Sequence, residues 1–301
     1  MQSTLGEQYA LMSDREFRRF SDLIFGQCGI HLPKAKKTML SGRLRKRLNH
    51  LKMSFKQYYD YVSDNKEGSD ELRNMLDAVS TNKTDFFREA KHFDFLTEDL
   101  LPLMLRTGKW LPGKRLNVWS AGCSSGEEPY TIAMVLADFA SRHRTGDFSV
   151  LGTDISTRVL EKAEKGIYPE SVIGPIPVNL KQHCLMKGSG PQKGFYRIVP
   201  ELRSKVKFQR LNLNDKADFG MNTRMDIIFC RNVIIYFNRE TQKKLFKKFY
   251  NQILPGGYLF IGHSESLHGI NDEFKSVAVA TYVKHENEVK DEKQKYKAHY
   301  R

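Results

Sequence analysis

Residues 120–129, Ser-Ala-Gly-Cys-Ser-Ser-Gly-Glu-Glu-Pro, carry the first chemical signal in the chain. They follow a short apolar run at 116–120 and open a helical pattern at 129–140. Gly122 and Gly126 permit a tight turn and a close approach of the backbone to a ligand. A second apolar run, 148–154, ends on Gly152-Thr153-Asp154. An acid at that position accepts hydrogen bonds from ribose hydroxyls. Strand, glycine turn, helix, strand and acid form a plan for an adenosine-containing cofactor. The glycine spacing narrows it. A pyrophosphate cradle prefers Gly-x-Gly-x-x-Gly, whereas here Gly-x-x-x-Gly runs directly into Glu127 and Glu128. Two carboxylates suit the positive end of a helix but repel a phosphate. A cofactor without phosphate, S-adenosylmethionine, fits this loop. The plainer alternative is that both acids only compensate the helix dipole.

These residues need a sheet to position them. Short apolar runs at 116–120, 148–154, 206–213, 225–230, 258–262 and 276–283 alternate with helical patterns such as 129–140 and 239–253. That rhythm predicts a doubly wound, parallel α/β sheet, which binds ligands at the carboxyl ends of its strands. Residues 166–204 interrupt it with Gly and Pro and contain a short strand candidate, 195–199, so an inserted β-hairpin unit is expected. Residues 1 to about 90 read as helical throughout, with apolar groups at helical spacing and breakers at Gly29, Pro33 and 65–68. The join at 80–95 carries four Phe residues, which is odd for a plain linker.

The chain has 301 residues and a net charge of +14, and no apolar run approaches the length of a membrane span. No secretory signal is visible. The four cysteines, Cys28, Cys123, Cys184 and Cys230, form no Cys-x-x-Cys pair. A zinc knuckle or dithiol site is therefore not expected, and a reducing cytoplasm is. The positive charge implies an acidic partner: nucleic acid, an anionic membrane or an acidic protein. No acid occurs between Asp22 and Asp60, an interval that holds nine Lys and Arg. With Leu40, Leu44, Leu48 and Leu51 as a buried stripe, Arg43, Lys46 and Arg47 turn outward. The functional reading is a docking surface; the plain one is a solvated face.

Four strings, taken together and in order, carry a resemblance. They are Asn82-x-Thr84-x-Phe-Phe-Arg88, then 120–129, then Cys230-Arg231-Asn232-Val-Ile-Ile-Tyr236-Phe237, then Gly262-His-Ser-Glu265. The chain resembles the bacterial chemotaxis receptor methyltransferases of the CheR family from about residue 11 to 285. The resemblance implies a helical receptor-docking domain over 1–80, a linker over 81–95 and a Rossmann-like class I S-adenosylmethionine-dependent methyltransferase domain over 96–285. It also implies an antiparallel β-subdomain at about 170–205 within that domain and a polar tail over 286–301. It implies methyl transfer from S-adenosylmethionine to side-chain carboxylates of receptor glutamates, with S-adenosylhomocysteine as product and no metal.

By the same likeness, Asn82, Thr84 and Arg88 of the linker close over the cofactor. Ala121, Gly122 and Glu127 form the glycine-loop site, Asp154 is the ribose-binding acid, and Asn212 and Leu213 flank the adenine. Arg231 and Asn232 end a strand where substrate meets the methyl group, with Tyr236 beside it. Arg231, Tyr236 and Arg88 are thus the expected catalytic residues. Arg43, Lys46 and Arg47 would dock the cytoplasmic helical bundle of the receptor. In some family members the β-subdomain binds a tether peptide at the receptor C-terminus, and an exposed strand edge suits such β-addition; a simple hairpin is the alternative. A cytoplasmic monomer recruited to receptor arrays, without nucleic acid, is the implied setting.

Two rivals differ in class. A nucleic-acid methyltransferase is compatible with the charge. Amino-methylating enzymes, however, commonly carry Asp/Asn-Pro-Pro-aromatic after the fourth strand, where this chain reads Cys230-Arg231-Asn232-Val233. A nonenzymatic cofactor-sensing module is opposed by the Arg231–Tyr236 segment. His263-Ser264-Glu265 is no hydrolase triad, because adjacent residues point in different directions; it reads as a strand-end loop without a catalytic role.

Overall fold

The computed structural model describes residues 11–64, 70–215 and 217–285. The polar tail from residue 286 and the breaker at 65–68 lie outside the described residues. Among the described residues the N-terminal half holds four α-helices, α1 (Asp14–Cys28), α2 (Lys37–Leu51), α3 (Phe55–Asp64) and α4 (Asp70–Val79). A capping box starts α1: Glu16 N–H donates to Ser13 Oγ, and Ser13 N–H donates to the Glu16 carboxylate at 2.7 Å. Gly29, with φ of 74°, ends it in the left-handed conformation. The apolar stripes meet in one core around Phe20, Ile24, Leu40, Leu44, Tyr58 and Met75, all fully buried.

Helix does not continue to residue 90 as the periodicity implied. Residues 80–90 are irregular, and Phe87 and Glu89 take positive φ values of 54° and 57°. Two short helices follow, α5 (Lys91–Phe95) and α6 (Leu101–Arg106).

Among the described residues the second half contains ten strands: β1 (Arg115–Ala121), β2 (Asp147–Asp154), β3 (Ile167–Pro169), β4 (Leu185–Lys187), β5 (Phe195–Ile198), β6 (Val206–Arg210), β7 (Met225–Cys230), β8 (Ile253–Ile261), β9 (Phe274–Ala278) and β10 (Thr281–Lys284). Helices α7 (Glu127–Arg142), α8 (Thr157–Lys165), α9 (Val178–Cys184), α10 (Pro200–Lys205) and α11 (Arg239–Gln252) connect them. Seven strands form one sheet in the order β6-β2-β1-β7-β8-β10-β9. Strands β6, β2, β1, β7 and β8 are parallel, and β10 runs antiparallel to both neighbours. Strands β1 and β7 are almost wholly buried on both faces, which is why they read as continuous apolar runs. The chain winds outward through β2 on one side of β1, then crosses to β7 on the other. The switch point lies between β1 and β7, and their carboxyl ends open a crevice there.

Three details depart from the periodicity. The segment 276–283 is a hairpin of two strands that turns through Ala280 at φ of 50°. The run 206–213 leaves the sheet after Arg210. The insertion is a separate three-stranded antiparallel sheet, β3-β5-β4, instead of a single hairpin.

Candidate active site

A cavity of about 630 Å³ occupies the crevice. Its floor is the glycine loop. The N–H groups of Gly122 and Cys123 both donate to the Thr153 carbonyl at 2.8 Å, which folds the loop against the end of β2. Gly122 has φ of 81°, and a Cβ there would stand 2.4 Å from Val233 Cγ2. Only glycine lets the two strand-end loops meet. Asp154 is buried and accepts from Ser124 N–H and Ser156 N–H, each at 2.9 Å. Burial raises its carboxyl above the usual range, against the pull of those two amides. Ser124 Oγ donates to the Asn82 carbonyl at 2.8 Å and so fastens the linker over the loop.

Arg231 organises the opposite wall. It is 6% exposed. Nε donates to Glu128 Oε2 at 2.7 Å, and Nη1 donates to the Arg88 carbonyl at 2.7 Å and to His92 Nδ1 at 3.1 Å. Glu89 stands 3.4 Å from the same nitrogen. The guanidinium therefore joins β7, the first turn of α7 and the linker at one point. Glu128 also accepts from Ser120 Oγ at 2.7 Å. Burial would raise Glu89, but the Asn232 amide and the Arg231 charge prevail and lower it.

Glu89, His92 and His263 bring one potential metal ligand each within 4.8 Å of one another. The hydrogen bonds argue against a donor set. A guanidinium only donates, so His92 Nδ1 accepts from Arg231 and Nε2 carries the proton toward the Val279 carbonyl, 3.3 Å away. Both ring nitrogens are spent. Burial first, then the Arg231 and His263 charges, lower the His92 pKa to about 4, which keeps the ring neutral.

The helical half supplies the third wall. Ile30 forms an isolated antiparallel bridge with Phe237. His31 N–H donates to the Tyr236 carbonyl at 2.8 Å. Asn212 Nδ2 donates to the Gln27 carbonyl at 2.7 Å, and Asn212 Oδ1 accepts from Asn214 N–H. The Asn212 side chain is thus engaged in joining the two halves at the edge of the cavity.

Asn82, Thr84, Arg88, Gly122, Asp154, Asn212, Leu213, Arg231, Asn232 and Tyr236 all line this cavity. Two expected residues do not. Ala121 is the buried end of β1, and Glu127 is buried beneath the loop with its carboxylate accepting from Ser125 Oγ at 2.8 Å. Arg43 and Arg47, expected outward, turn inward: Arg43 lines the cavity and donates to the Val79 carbonyl, and Arg47 Nε donates to buried Glu71 at 3.1 Å. Long side chains on the flank of a helix can fold back over the next helix, which a stripe of leucines cannot report. Lys46 alone of the three is exposed. No signal in the sequence marked Glu89 and His92; Glu128 was visible at the helix start after the glycine loop and Glu265 in Gly262-His-Ser-Glu265, but the partners of both were not.

Residues 82–283 match the family model described as "CheR methyltransferase, SAM binding domain", and residues 15–80 match "CheR methyltransferase, all-alpha domain". The chain belongs to the CheR methyltransferase family. It is 38% identical to the chemotaxis protein methyltransferase of Borreliella burgdorferi over 272 residues, covering 89% of this chain and 94% of that one. It is 39% identical to the Klebsiella aerogenes enzyme, covering 87% of each chain, and 39% identical to that of Salmonella typhimurium, covering 92% of each. Its function is S-adenosylmethionine-dependent methylation in chemotaxis, and the two rival readings are not favoured. Among the described residues no helix is long and apolar enough to cross a membrane.

The cavity of this CheR chain fits S-adenosylmethionine. Buried Asp154 faces it with acceptor capacity for hydroxyls, and Gly122 leaves space that a Cβ would fill. Asn82, Thr84, Arg88 and Asn232 are among its other polar lining residues.

Proposed function

We propose that this chain transfers the methyl group of S-adenosylmethionine to side-chain carboxylates of glutamates on chemoreceptors, giving methyl esters and S-adenosylhomocysteine. The observation that carries this reading is the presence of Tyr236 and Asn232 on the wall of the same cavity as Gly122 and Asp154. When bound, S-adenosylmethionine supplies an electrophilic methyl group on a sulfonium. A glutamate, with an ordinary pKa of about 4.3, is already an anion at neutral pH, so no general base is required. The residues must strip water from the carboxylate and orient it, and such positioning supplies up to roughly 7–11 kcal/mol in favourable cases. Tyr236 orients the acceptor oxygen. Arg88, half-buried and held by its Nη1 bond to the Lys83 carbonyl at 3.0 Å, offers a guanidinium to a carboxylate. Arg231 is engaged by Glu128, the linker and His92, so it acts as the clamp of the site instead of a substrate ligand.

The partner in this reading is the helical cytoplasmic bundle of the receptor, met by the acid-free face around Lys46. The three-stranded sheet, with Phe195 41% exposed on its middle strand, supports the added reading of a tether-peptide site. The enzyme would gather at receptor arrays through these contacts. The test supplies labelled S-adenosylmethionine and receptor-containing membranes. Alkali-labile label on the receptor is expected; alkali-stable label or label on added nucleic acid opposes the reading.

A further inference from the structure

The loop that ends β7 places Arg231, Asn232, Val233 and Tyr236 on the cavity wall. A single 3₁₀ turn, Ile234–Tyr236, is all the regular structure it has. Arg231 is fixed by its own clamp, but the backbone beyond it needs another anchor. Glu265 supplies one. Its Oε2 accepts from Gly262 N–H at 2.6 Å and Asn232 N–H at 3.1 Å, and its Oε1 accepts from Ile235 N–H at 3.3 Å. The Glu265 N–H donates to the Gly262 carbonyl at 2.9 Å, which holds the carboxylate in a tight turn. The residue is 8% exposed.

The surroundings agree with a built anchor. A Cβ on Gly262 would stand 2.7 Å from Asn232 Nδ2 and 2.9 Å from Glu265 Oε2, so the loops after β7 and β8 touch only because residue 262 is glycine. Asn232 is held at φ of 58°, a left-handed conformation that persists where its surroundings over-determine it. In that conformation Asn232 Nδ2 reaches Glu89 Oε1 at 3.2 Å and ties the loop to the linker. Tyr236 follows directly, its N–H on the Val233 carbonyl at 3.2 Å. Glu265 is absent from the residues that line the cavity. Any effect on turnover must pass through the loop.

We infer that Glu265 is a positioning residue for methyl transfer: its carboxylate holds the 232–236 backbone in the arrangement that presents Tyr236 to the cavity, without touching the reacting atoms. The inference rests on the carboxylate-methylation reading and the role given there to Tyr236. Methyl transfer needs no proton removed from the acceptor, so a buried carboxylate here has structural work and no base work to do.

The test is a cycle of three variants, Glu265→Gln, Tyr236→Phe and the double variant, assayed on receptor membranes. Glutamine keeps the shape but presents an NH2 group where two backbone donors converge. Glu265→Gln is expected to lower kcat at least tenfold and to leave S-adenosylhomocysteine affinity, measured by calorimetry, within about threefold. The double variant is expected to be no slower than Tyr236→Phe within about twofold, because two changes that act through one group do not multiply. Unchanged kcat in Glu265→Gln overturns the inference, as does a double variant slower by the full product of the single effects. No transfer by the unaltered enzyme would instead sink the underlying functional reading. Should Glu265→Gln fail to fold, amide hydrogen exchange on the unaltered protein decides: the Asn232 and Ile235 amides are expected to exchange at least a hundredfold slower than unstructured chain, and exchange at the unstructured rate overturns the anchor.

Discussion

Arg231 Nε and Glu128 Oε2 are 2.7 Å apart, both side chains almost fully buried, although 103 positions separate them in the chain. The pair ties the end of β7 to the first turn of α7, and Nη1 adds the linker to the same knot. Arginine is suited to this because its planar fork donates in several fixed directions at once, which an ammonium cannot do. Arg231→Lys is therefore expected to weaken S-adenosylhomocysteine binding at least tenfold and to cost roughly 2–4 kcal/mol of stability, since it leaves Glu128 poorly paired. Calorimetry and urea unfolding read both. Wild-type affinity in a stable Arg231→Lys protein would remove the clamp.

The contact between the glycine loop and Val233 predicts a sharper effect from a smaller change. Gly122→Ala adds one methyl group 2.4 Å from Val233 Cγ2 at a positive φ. Something must shift, and both candidates line the cavity. A loss of cofactor affinity of at least tenfold, about 1.4 kcal/mol, is expected. Ala at Gly113, where φ is also positive but nothing lies within 4 Å, controls for backbone strain alone.

The basic helix α2 should separate into two kinds of cation. Arg47 is bonded to Glu71, which is 7% exposed and also accepts from Tyr58 Oη at 2.8 Å. Arg47→Ala is expected to cost roughly 2 kcal/mol of stability by leaving that carboxylate short of a partner. Lys46→Ala should leave the melting temperature within about 1–2 °C and yet weaken receptor methylation, more so at low salt. Equal effects of the two substitutions on thermal melting would contradict this division.

His92 sets a pH dependence with a defined sign. Its pKa is lowered from 6.5 to about 4 in the fold, by burial first and then by the charges of Arg231 and His263. The contribution is fully present above pH 6.5, where the ring is neutral folded or unfolded. It is lost as pH falls from 6.5 through 4, because only the unfolded chain takes up the proton there. The full loss is roughly 3 kcal/mol. Gln mimics the neutral ring, so the stability of His92→Gln should vary less over that window. Parallel pH profiles for the two proteins in chemical unfolding would show that His92 does not titrate in this way.

How much of this could be read from residues differs by kind of information. Strands β1 and β7 were legible because both faces are buried, so composition alone betrays them. The glycine loop and Asp154 were legible because the plan of strand, turn, helix and acid is local. The Arg231 knot was not: Glu128 meets it from one distant segment and Glu89 and His92 from another, and no periodicity encodes a contact 103 to 142 positions away. The break of helix at residue 80 was hidden for another reason. Phe87 and Glu89 adopt positive φ without any glycine or proline to announce it, held there by the tertiary contacts of the linker.

The bridge between Ile30 and Phe237 and the bond from His31 to Tyr236 bear on how far the two halves can be exchanged. A protein built by grafting the helical half of a relative onto residues 82–283 would inherit a foreign wall for the cavity as well as a new version of the proposed docking face. Under the proposed docking role, receptor preference and catalytic competence would therefore be inherited together, and a chimaera meant to change the first without the second is expected to need the native 27–33 segment.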